Sequence, residues 1–211
     1  APADPALLDR MAALLDARGP DGRGIWRDGP VGLVHTSLAV SDDVPPDTQP
    51  LTLDGQVWLV ADARVDDRAT LLSRLGAAGH APSGPASDAE LLLRAYLAWG
   101  SDCVSRLIGD FAFVVWDGRA RRLFAARDQM GGKPFFYAET ADALVVSNTL
   151  ACVRLHPGVP DTLNDLAIAD FLVFGHNTES DTTAFAAVRR LPPAHMLEWR
   201  DGYVQVRRYW T

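Results

Sequence analysis

The chain has 211 residues, with 20 Lys and Arg against 27 Asp and Glu, so its formal net charge is −7. This length suits one large domain or a tight pair of subdomains, and 48% apolar with 22% charged residues is typical of a soluble globular protein. The acidic balance argues against nucleic-acid binding, which depends on basic surfaces. No apolar run is long enough to span a bilayer.

The cysteines and the N-terminus indicate a cytoplasmic protein. Cys103 and Cys152 are the only cysteines and lack CxxC spacing, so they predict neither a disulfide framework nor a zinc site. Each is expected to be a small buried apolar residue. Pro2 and Asp4 stand where a signal peptide would have a basic start and an apolar core. The five histidines are dispersed along the sequence, which predicts no metal site.

The N-terminal third predicts one helix followed by strands. Asp4 and Pro5 form an N-cap with Pro at the first helical position. One apolar stripe then follows at helical spacing, made of Leu7, Leu8, Met11, Leu14 and Leu15. The later elements predicted in this third are a turn at 18–22, strands at 24–27 and 31–40, a polar loop at 41–50 and a buried strand at 57–63.

The rest of the chain predicts alternating helices and hairpins. Asp67 is expected to cap a second helix, and Ser87 with Glu90 has the pattern of a capping box that opens a third. Asp117-Gly118 joins two apolar runs into a hairpin. The remaining predictions are a hairpin at 135–138 and 143–147, helices at 148–155 and 163–174, and strands at 187–190, 195–199 and 204–209. Antiparallel strands with helices before, between and after them predict an α+β fold of two sheets with helical outer layers.

Seven segments resemble motifs of the asparagine synthetase family and occur in the family's order. They include counterparts of its RGPD turn, SDTE motif, WG-x-x-C segment, GxFAF strand, RDxxGxxP turn and RLPPGH segment. In this chain the seven lie at 18–21, 38–40 with 49–50, 87–90, 99–103, 109–113, 127–134 and 190–195. From Leu7 to Trp210 the chain is therefore similar to the family's N-terminal class II glutamine amidotransferase domain. The resemblance implies an N-terminal-nucleophile hydrolase-like αββα sandwich over residues 1–211.

The family's chemistry needs groups that this sequence does not show. In the family an N-terminal Cys attacks the glutamine amide, assisted by its own α-amine, and a second, ATP-using synthetase domain consumes the ammonia. Here residue 1 is Ala1, and the strand that carries the Cys is expected to be missing, because the Asp4 helix start follows at once. The resemblance implies no cofactor in this chain. ATP and Mg²⁺ are expected in the synthetase domain, which lies outside it.

The glutamine pocket is altered at four matching positions. The family's oxyanion motif Tyr-Asn-Gly-Glu-Ile-Tyr-Asn corresponds to residues 61–67, so Asp62, Ala63 and Arg64 replace its Asn, Gly and Glu. Ser37 replaces the Arg that binds the glutamine carboxylate. Asp88 alone remains, where the family binds the α-amine. Loss of a single oxyanion donor costs about 2.7–4 kcal/mol. These replacements predict a domain that does not hydrolyse glutamine.

The loss of the glutamine-hydrolysing residues resembles branches of the family that use an amine within the substrate in place of ammonia. β-Lactam synthetases and lasso peptide cyclases are of this kind, and residues 61–68, 174–177 and 181–185 resemble the lasso cyclase branch. This resemblance implies part of an ATP-dependent amide-forming ligase, a lasso peptide macrocyclase. It also implies two partners, the synthetase domain of the same parent protein and a precursor peptide.

Several alternatives stay open. The chain could be the amidotransferase domain of a glutamine-hydrolysing asparagine synthetase whose Cys strand has been removed, or a stand-alone peptide-binding domain without enzymatic activity. Asp88 could be only a favourable acid in the first turn of a helix. Arg127-Asp128 is expected to brace a turn, and Gly131-Gly132-Lys133 to be a tight turn, since it lacks P-loop spacing.

Overall fold

The computed structural model describes residues 2–39 and 48–211, and the predictions for Ala1, Val40 and 41–47 lie outside the described residues. The helices are α1 (Pro5–Leu15), α2 (Arg68–Ala77), α3 (Asp88–Trp99), α4 (Leu150–Val153) and α5 (Asp165–Phe174), with a 3-10 helix at Gly100–Arg106. The strands are β1 (Gly22–Asp28), β2 (Val31–Ser37), β3 (Leu51–Thr52), β4 (Val57–Asp66), β5 (Ile108–Asp117), β6 (Arg122–Arg127), β7 (Phe136–Glu139), β8 (Leu144–Ser147), β9 (Arg189–Arg190), β10 (His195–Arg200) and β11 (Tyr203–Arg208).

A six-stranded antiparallel sheet forms the centre of the fold, in the order β11-β10-β6-β5-β4-β3. Its strands alternate between two buried faces, as side chains two residues apart share a face. One face packs under α2 and α3, where Phe111, Phe113 and Phe124 are fully buried. The other face buries Val114, Ala125 and Leu197 against a second layer of strands.

The second layer consists of two sheets, β1-β2 and β8-β7-β9, rather than the single sheet expected. Tyr137 faces the central sheet, whereas Ala138 and Val145 face outwards. There they pack with Leu7 and Met11 of α1 and with α4. The layers are therefore helix, sheet, strand layer, helix, which confirms the α+β sandwich. Among the described residues no helix is both long and apolar enough to cross a bilayer.

Most predicted elements are confirmed, with corrections at their ends. Asp4 accepts a hydrogen bond from the Ala6 amide at 3.0 Å, and Ser87 Oγ one from the Glu90 amide at 3.1 Å. Asp67 precedes α2, but its side chain makes no capping bond and its backbone is left-handed, with φ 47°. β4 runs on to Asp66 because it pairs with β5 along its whole length. The predicted strand 31–40 ends at Ser37.

Both cysteines are buried, as expected. Burial raises the pKa of the Cys103 thiol to about 12 and also raises that of Cys152. The same cause raises the pKa of the Tyr96 hydroxyl, in the core beside Phe124, to about 12. Each group is therefore held neutral in the folded protein at pH values where it ionises in the unfolded chain, near pH 8.5 for Cys and pH 10 for Tyr.

Stability is therefore expected to fall at alkaline pH. A raised folded pKa gives stability that is complete below the unfolded pKa and is lost as pH rises towards the folded one. We expect the free energy of unfolding to fall from about pH 9, with a limiting slope of about 1.4 kcal/mol per pH unit for each such group. Urea unfolding between pH 8 and 11 measures it. Cys103→Ala should reduce the slope between pH 9 and 10, and an unchanged slope would contradict the assignment.

Candidate functional site

Strand β4 places the predicted pocket residues on two opposite faces. Ala61 and Val65 are buried beneath α3, and Ala63 packs against the same core. Asp62 and Arg64 alternate with them and project from the other face. The methyl group of Ala63, where the family has Gly, therefore points into the core. The polar changes are both on the face that meets the second layer.

Asp62 is surrounded by cationic and amide groups of the chain itself. Its Oδ1 lies 2.6 Å from Lys133 Nζ, and its Oδ2 lies 3.7 Å from Arg18 Nη2. Asn148 Nδ2 donates to Oδ2 at 3.4 Å. The side chains of Asp62 and Lys133 are 29% and 31% exposed, so the pair is partly shielded from water. The position that supplies a neutral donor in the family is thus occupied by a carboxylate paired within the protein.

The turn at 128–133 fixes Lys133 in this place. The buried Asp128 carboxylate accepts hydrogen bonds from the amides of Met130, Gly132 and Lys133 at 3.1, 2.8 and 2.9 Å. The Arg127 guanidinium donates to the carbonyls of Gly131, Lys133 and Leu191. The predicted bracing role is confirmed. Two of the three backbone amides at 131–133 already donate to the Asp128 carboxylate. This agrees with a tight turn and not with a phosphate-binding loop.

The turn at 18–22 places Arg18 beside Asp62 and also touches Ser37. A Cβ at Gly19 would lie 2.4 Å from the Thr36 carbonyl carbon, so only glycine allows this close approach. The Asp21 amide donates to the Ser37 carbonyl at 3.0 Å, and Gly22 pairs with Ser37 in the β1-β2 hairpin. Ser37 and Asp62 are therefore linked through one turn. Ser37 brings no positive charge for a substrate carboxylate.

Asp88 lies in the first turn of α3, in an ion pair with Arg68 of α2. The other Arg68 terminal nitrogen donates to the Ala86 carbonyl, which precedes the helix. The Asp88 side chain is 21% exposed and that of Arg68 36%. A carboxylate at a helix N-terminus is favoured by the helix dipole. The Asp88 carboxylate, where the resemblance predicts binding of a substrate ammonium, is thus paired with a guanidinium of the chain itself.

Arg64 reverses the charge of the family's Glu and also finds partners within the chain. Its Nη2 lies 3.1 Å from Asp66 and 3.2 Å from Asp110. Its side chain is 64% exposed, so these pairs are weak. Among the described residues, Asp62, Arg64 and Asp88 therefore all lie in ion pairs within the chain.

Gln49 supports β4 next to Asp62. Its Oε1 accepts from the Ala61 amide at 2.6 Å, and its Nε2 donates to the Ala61 carbonyl at 3.3 Å. The buried amide side chain thus replaces a neighbouring strand at this point of β4. This explains the Gln-Pro pair of the sequence motif as a structural element that fixes the strand carrying the pocket positions.

The described side chains include neither an amide donor at position 62 nor an ionised thiol. A tetrahedral oxyanion needs preorganised donors, whereas the Asp62 carboxylate would repel it. Within 2–39 and 48–211 the only thiols are Cys103 and Cys152, and burial raises the pKa of both, so neither supplies a thiolate. Arg18, Arg68 and Lys133, which neutralise the pocket carboxylates, were not identified from the sequence.

A double-mutant cycle should show that Asp62 and Lys133 stabilise each other. For Asp62→Asn, Lys133→Met and the double variant, we expect a coupling free energy of about 1 kcal/mol, because the pair is partly shielded. Urea unfolding of the four proteins measures it. The matched control is the exposed pair Arg200–Asp201, where the coupling should be close to zero. Equal coupling in both pairs would contradict the assignment.

Comparisons with known proteins agree with the motifs. A family model described as a glutamine amidotransferase domain matches residues 2–210. Asparagine synthetase [glutamine-hydrolyzing] 3 of Bacillus subtilis is 32% identical over 207 residues, which cover 97% of this chain and 33% of that protein. Amidase chry2 of Gibberella zeae is 29% identical over 215 residues, covering 92% of this chain and 28% of that protein. The chain spans about a third of the length of such relatives.

Solved structures agree with the fold. The chain superimposes on glutamine phosphoribosylpyrophosphate amidotransferase of B. subtilis with a TM-score of 0.58 and 18% identity. The match covers 86% of this chain and 35% of that one. At this identity the likeness shows the fold alone, which is that of an N-terminal-nucleophile amidotransferase domain.

Proposed function

The chain belongs to the family of glutamine amidotransferase domains, and we propose that it is a form of this domain that does not hydrolyse glutamine. It serves an asparagine-synthetase-like, ATP-dependent amide-forming ligase. One observation carries the proposal: the carboxylates at two pocket positions, Asp62 and Asp88, are neutralised by Lys133 and Arg68. A pocket that binds glutamine would need a donor at the first and an open carboxylate at the second.

The energetic argument concerns both binding and catalysis. Glutamine's α-ammonium would have to displace the Arg68 guanidinium, and its carboxylate would meet uncharged Ser37. The amide oxygen would develop negative charge near the Asp62 carboxylate. Loss of one oxyanion donor alone lowers kcat by about 10²–10³. The combined changes leave the domain a structural part of the ligase.

The parent enzyme is proposed to be a lasso peptide macrocyclase. Such an enzyme needs no ammonia, because an amine within its own substrate attacks the activated carboxylate. ATP and the carboxylate give an acyl-adenylate and pyrophosphate, and the amine then displaces AMP to form the amide. The resemblance of residues 61–68, 174–177 and 181–185 to the lasso cyclase branch supports this choice, as do the ion pairs of Asp62 and Asp88. ATP and Mg²⁺ belong to the synthetase domain, and a precursor peptide is the substrate.

The test uses the full-length parent protein with ATP, Mg²⁺ and the precursor peptide encoded beside it. Mass spectrometry should show a peptide that has lost one water, formed equally fast with and without glutamine. If the product appears only with glutamine and carries its amide nitrogen, the chain is part of a working amidotransferase. That rival reading is favoured by the glutamine-hydrolysing relative, which is 32% identical.

A further inference from the structure

Helix α5 exposes the largest cluster of apolar side chains on the described surface. Six large apolar residues on it or just before it are between 56% and 80% exposed, namely Leu163, Leu166, Phe171, Leu172, Val173 and Phe174. Only Ala167 of the helix is buried. Monomeric proteins rarely leave a contiguous apolar patch larger than a few hundred Å² uncovered. The apolar face of a helix is normally buried against the protein core.

The exposure does not come from a frayed helix end, because both ends of α5 are fixed. Asn164 Oδ1 accepts from the Ala167 amide at 3.2 Å, and Leu163 pairs with Phe185. Gly175 ends the helix in the left-handed conformation, with φ 76°, and donates its amide to the Phe171 carbonyl at 2.9 Å. Thr178 then donates its amide to Asp170 at 3.2 Å. The helix is held as a preformed surface.

The charges around α5 narrow the choice of partner. Between Arg154 and Arg189 the sequence has no Lys or Arg, but it has five acidic residues, Asp161, Asp165, Asp170, Glu179 and Asp181. Asp161 pairs with Arg154 and Asp181 with Arg189, so residues 154–189 together carry a net charge of −3. Helices that lie on membranes are rich in Lys and Arg, and anionic lipids repel an acidic rim. A second copy of this chain would place two acidic rims against each other, which is unfavourable. The partner is therefore a protein surface with an apolar centre and a basic rim.

The length of the relatives indicates where the partner surface that covers α5 is located. The match covers only 33% and 28% of two of them, so most of their polypeptide lies outside this domain and is covalently joined to it. Domains within one chain pack through interfaces of about 600–1,500 Å². We propose that α5 is the docking surface for the synthetase domain of the same parent polypeptide, which presents an apolar face rimmed by Lys and Arg. This inference rests on the proposed two-domain ligase.

Amide hydrogen exchange of α5 tests the proposal directly. We compare the 211-residue chain with the full-length parent protein by mass spectrometry. Amides at 166–174 should exchange at least about tenfold more slowly in the full-length protein, because docking covers the helix. Leu172→Glu in the full-length protein should restore most of the fast exchange, and Glu179→Lys should restore part of it by opposing the basic rim. The controls are Tyr203→Glu, at an 81% exposed residue of β11, and Asp9→Lys on α1, which should leave the protection unchanged.

Four outcomes would overturn the docking surface. The first is equal exchange of α5 in both proteins, and the second is a dimer of the 211-residue chain that Leu172→Glu dissociates. The third is protection of α5 only when precursor peptide or lipid vesicles are added. The fourth is a reading frame that ends near Thr211. The glutamine assay is independent of all four. Protected α5 in a protein that hydrolyses glutamine would overturn the proposed function and support the docking surface. Unprotected α5 in a ligase that does not hydrolyse glutamine would overturn the docking surface and support the proposed function.

Discussion

Glutamine added to the full-length parent protein is expected to release no glutamate above the rate in buffer, with or without ATP. This expectation follows from the proposed function and rests on three changes. The Asp62 carboxylate replaces an oxyanion donor, Arg68 neutralises Asp88, and Ser37 offers no charge to the glutamine carboxylate. Loss of the donor alone costs about 2.7–4 kcal/mol of transition-state stabilisation. Loss of two substrate anchors then lowers binding as well, so the fall in kcat/KM should exceed about 10³.

Matched variants separate the causes of this loss. Asp62→Asn restores the amide donor, but we still expect no hydrolysis, because the Arg68–Asp88 pair and Ser37 are unchanged. Arg68→Ala combined with Ser37→Arg should instead increase glutamine binding, which isothermal calorimetry measures, without hydrolysis. The positive control is the related B. subtilis enzyme named as glutamine-hydrolysing. Release of one glutamate per glutamine consumed by the unmodified protein, abolished by Asp88→Asn, would contradict the proposal that the domain does not hydrolyse glutamine.

Local signals in the sequence were sufficient for most of the fold. Asp4 and Ser87 cap helices as their spacing predicts, and Asp117-Gly118 turns a hairpin. These signals depend on residues that are close in sequence, so the local sequence is enough to predict them. Asp67 failed as a cap because its backbone is left-handed, which a propensity for N-caps does not reveal. The division of the second layer was also missed, since sheet pairing between distant strands leaves no local pattern.

The candidate site was predictable in its positions but not in its contacts. The resemblance pointed to Asp62, Arg64 and Asp88, and strand alternation correctly places the first two on one face. Their partners come from far along the chain. Lys133 is 71 residues beyond Asp62, and Arg68 is 20 residues before Asp88. Such pairs form only when separate elements of the fold pack together, so the spacing of residues in the sequence does not predict them.

Asp128 links the stability of the fold to the state of the site. Its carboxylate holds the turn that positions Lys133, and its carbonyl accepts from the Ala194 amide at 2.8 Å. Tyr209 Oη donates to the neighbouring Arg127 carbonyl at 2.7 Å, so the end of β11 is attached to the same point. A change at this one residue should therefore alter the turn, the Asp62–Lys133 pair and the C-terminal strand together.

Asp128→Ala is accordingly expected to lower the free energy of unfolding by about 3–4 kcal/mol. Asp128 is 1% exposed, so its removal leaves the backbone amides of Met130, Gly132 and Lys133 without their acceptor in a partly buried turn. Hydrogen bonds to charged groups contribute about 1.5–3 kcal/mol each, and unsatisfied buried donors add their desolvation cost. Against a typical total of about 5–15 kcal/mol this is a severe loss. Urea unfolding at pH 7 measures it.

Asp54→Ala is the matched control, because Asp54 accepts from two backbone amides, those of Gln56 and Val57, at 2.7 and 2.8 Å. Its side chain is 24% exposed, so water can replace the lost acceptor, and we expect a loss of about 1 kcal/mol. Asp54 also pairs with Arg119 at 2.6 Å, so the comparison tests whether a more exposed carboxylate with two backbone bonds and an ion pair still contributes less than Asp128. Equal losses would show that the turn at 128–133 is not held by its buried carboxylate. Contacts with the rest of the second layer would then position Lys133 beside Asp62.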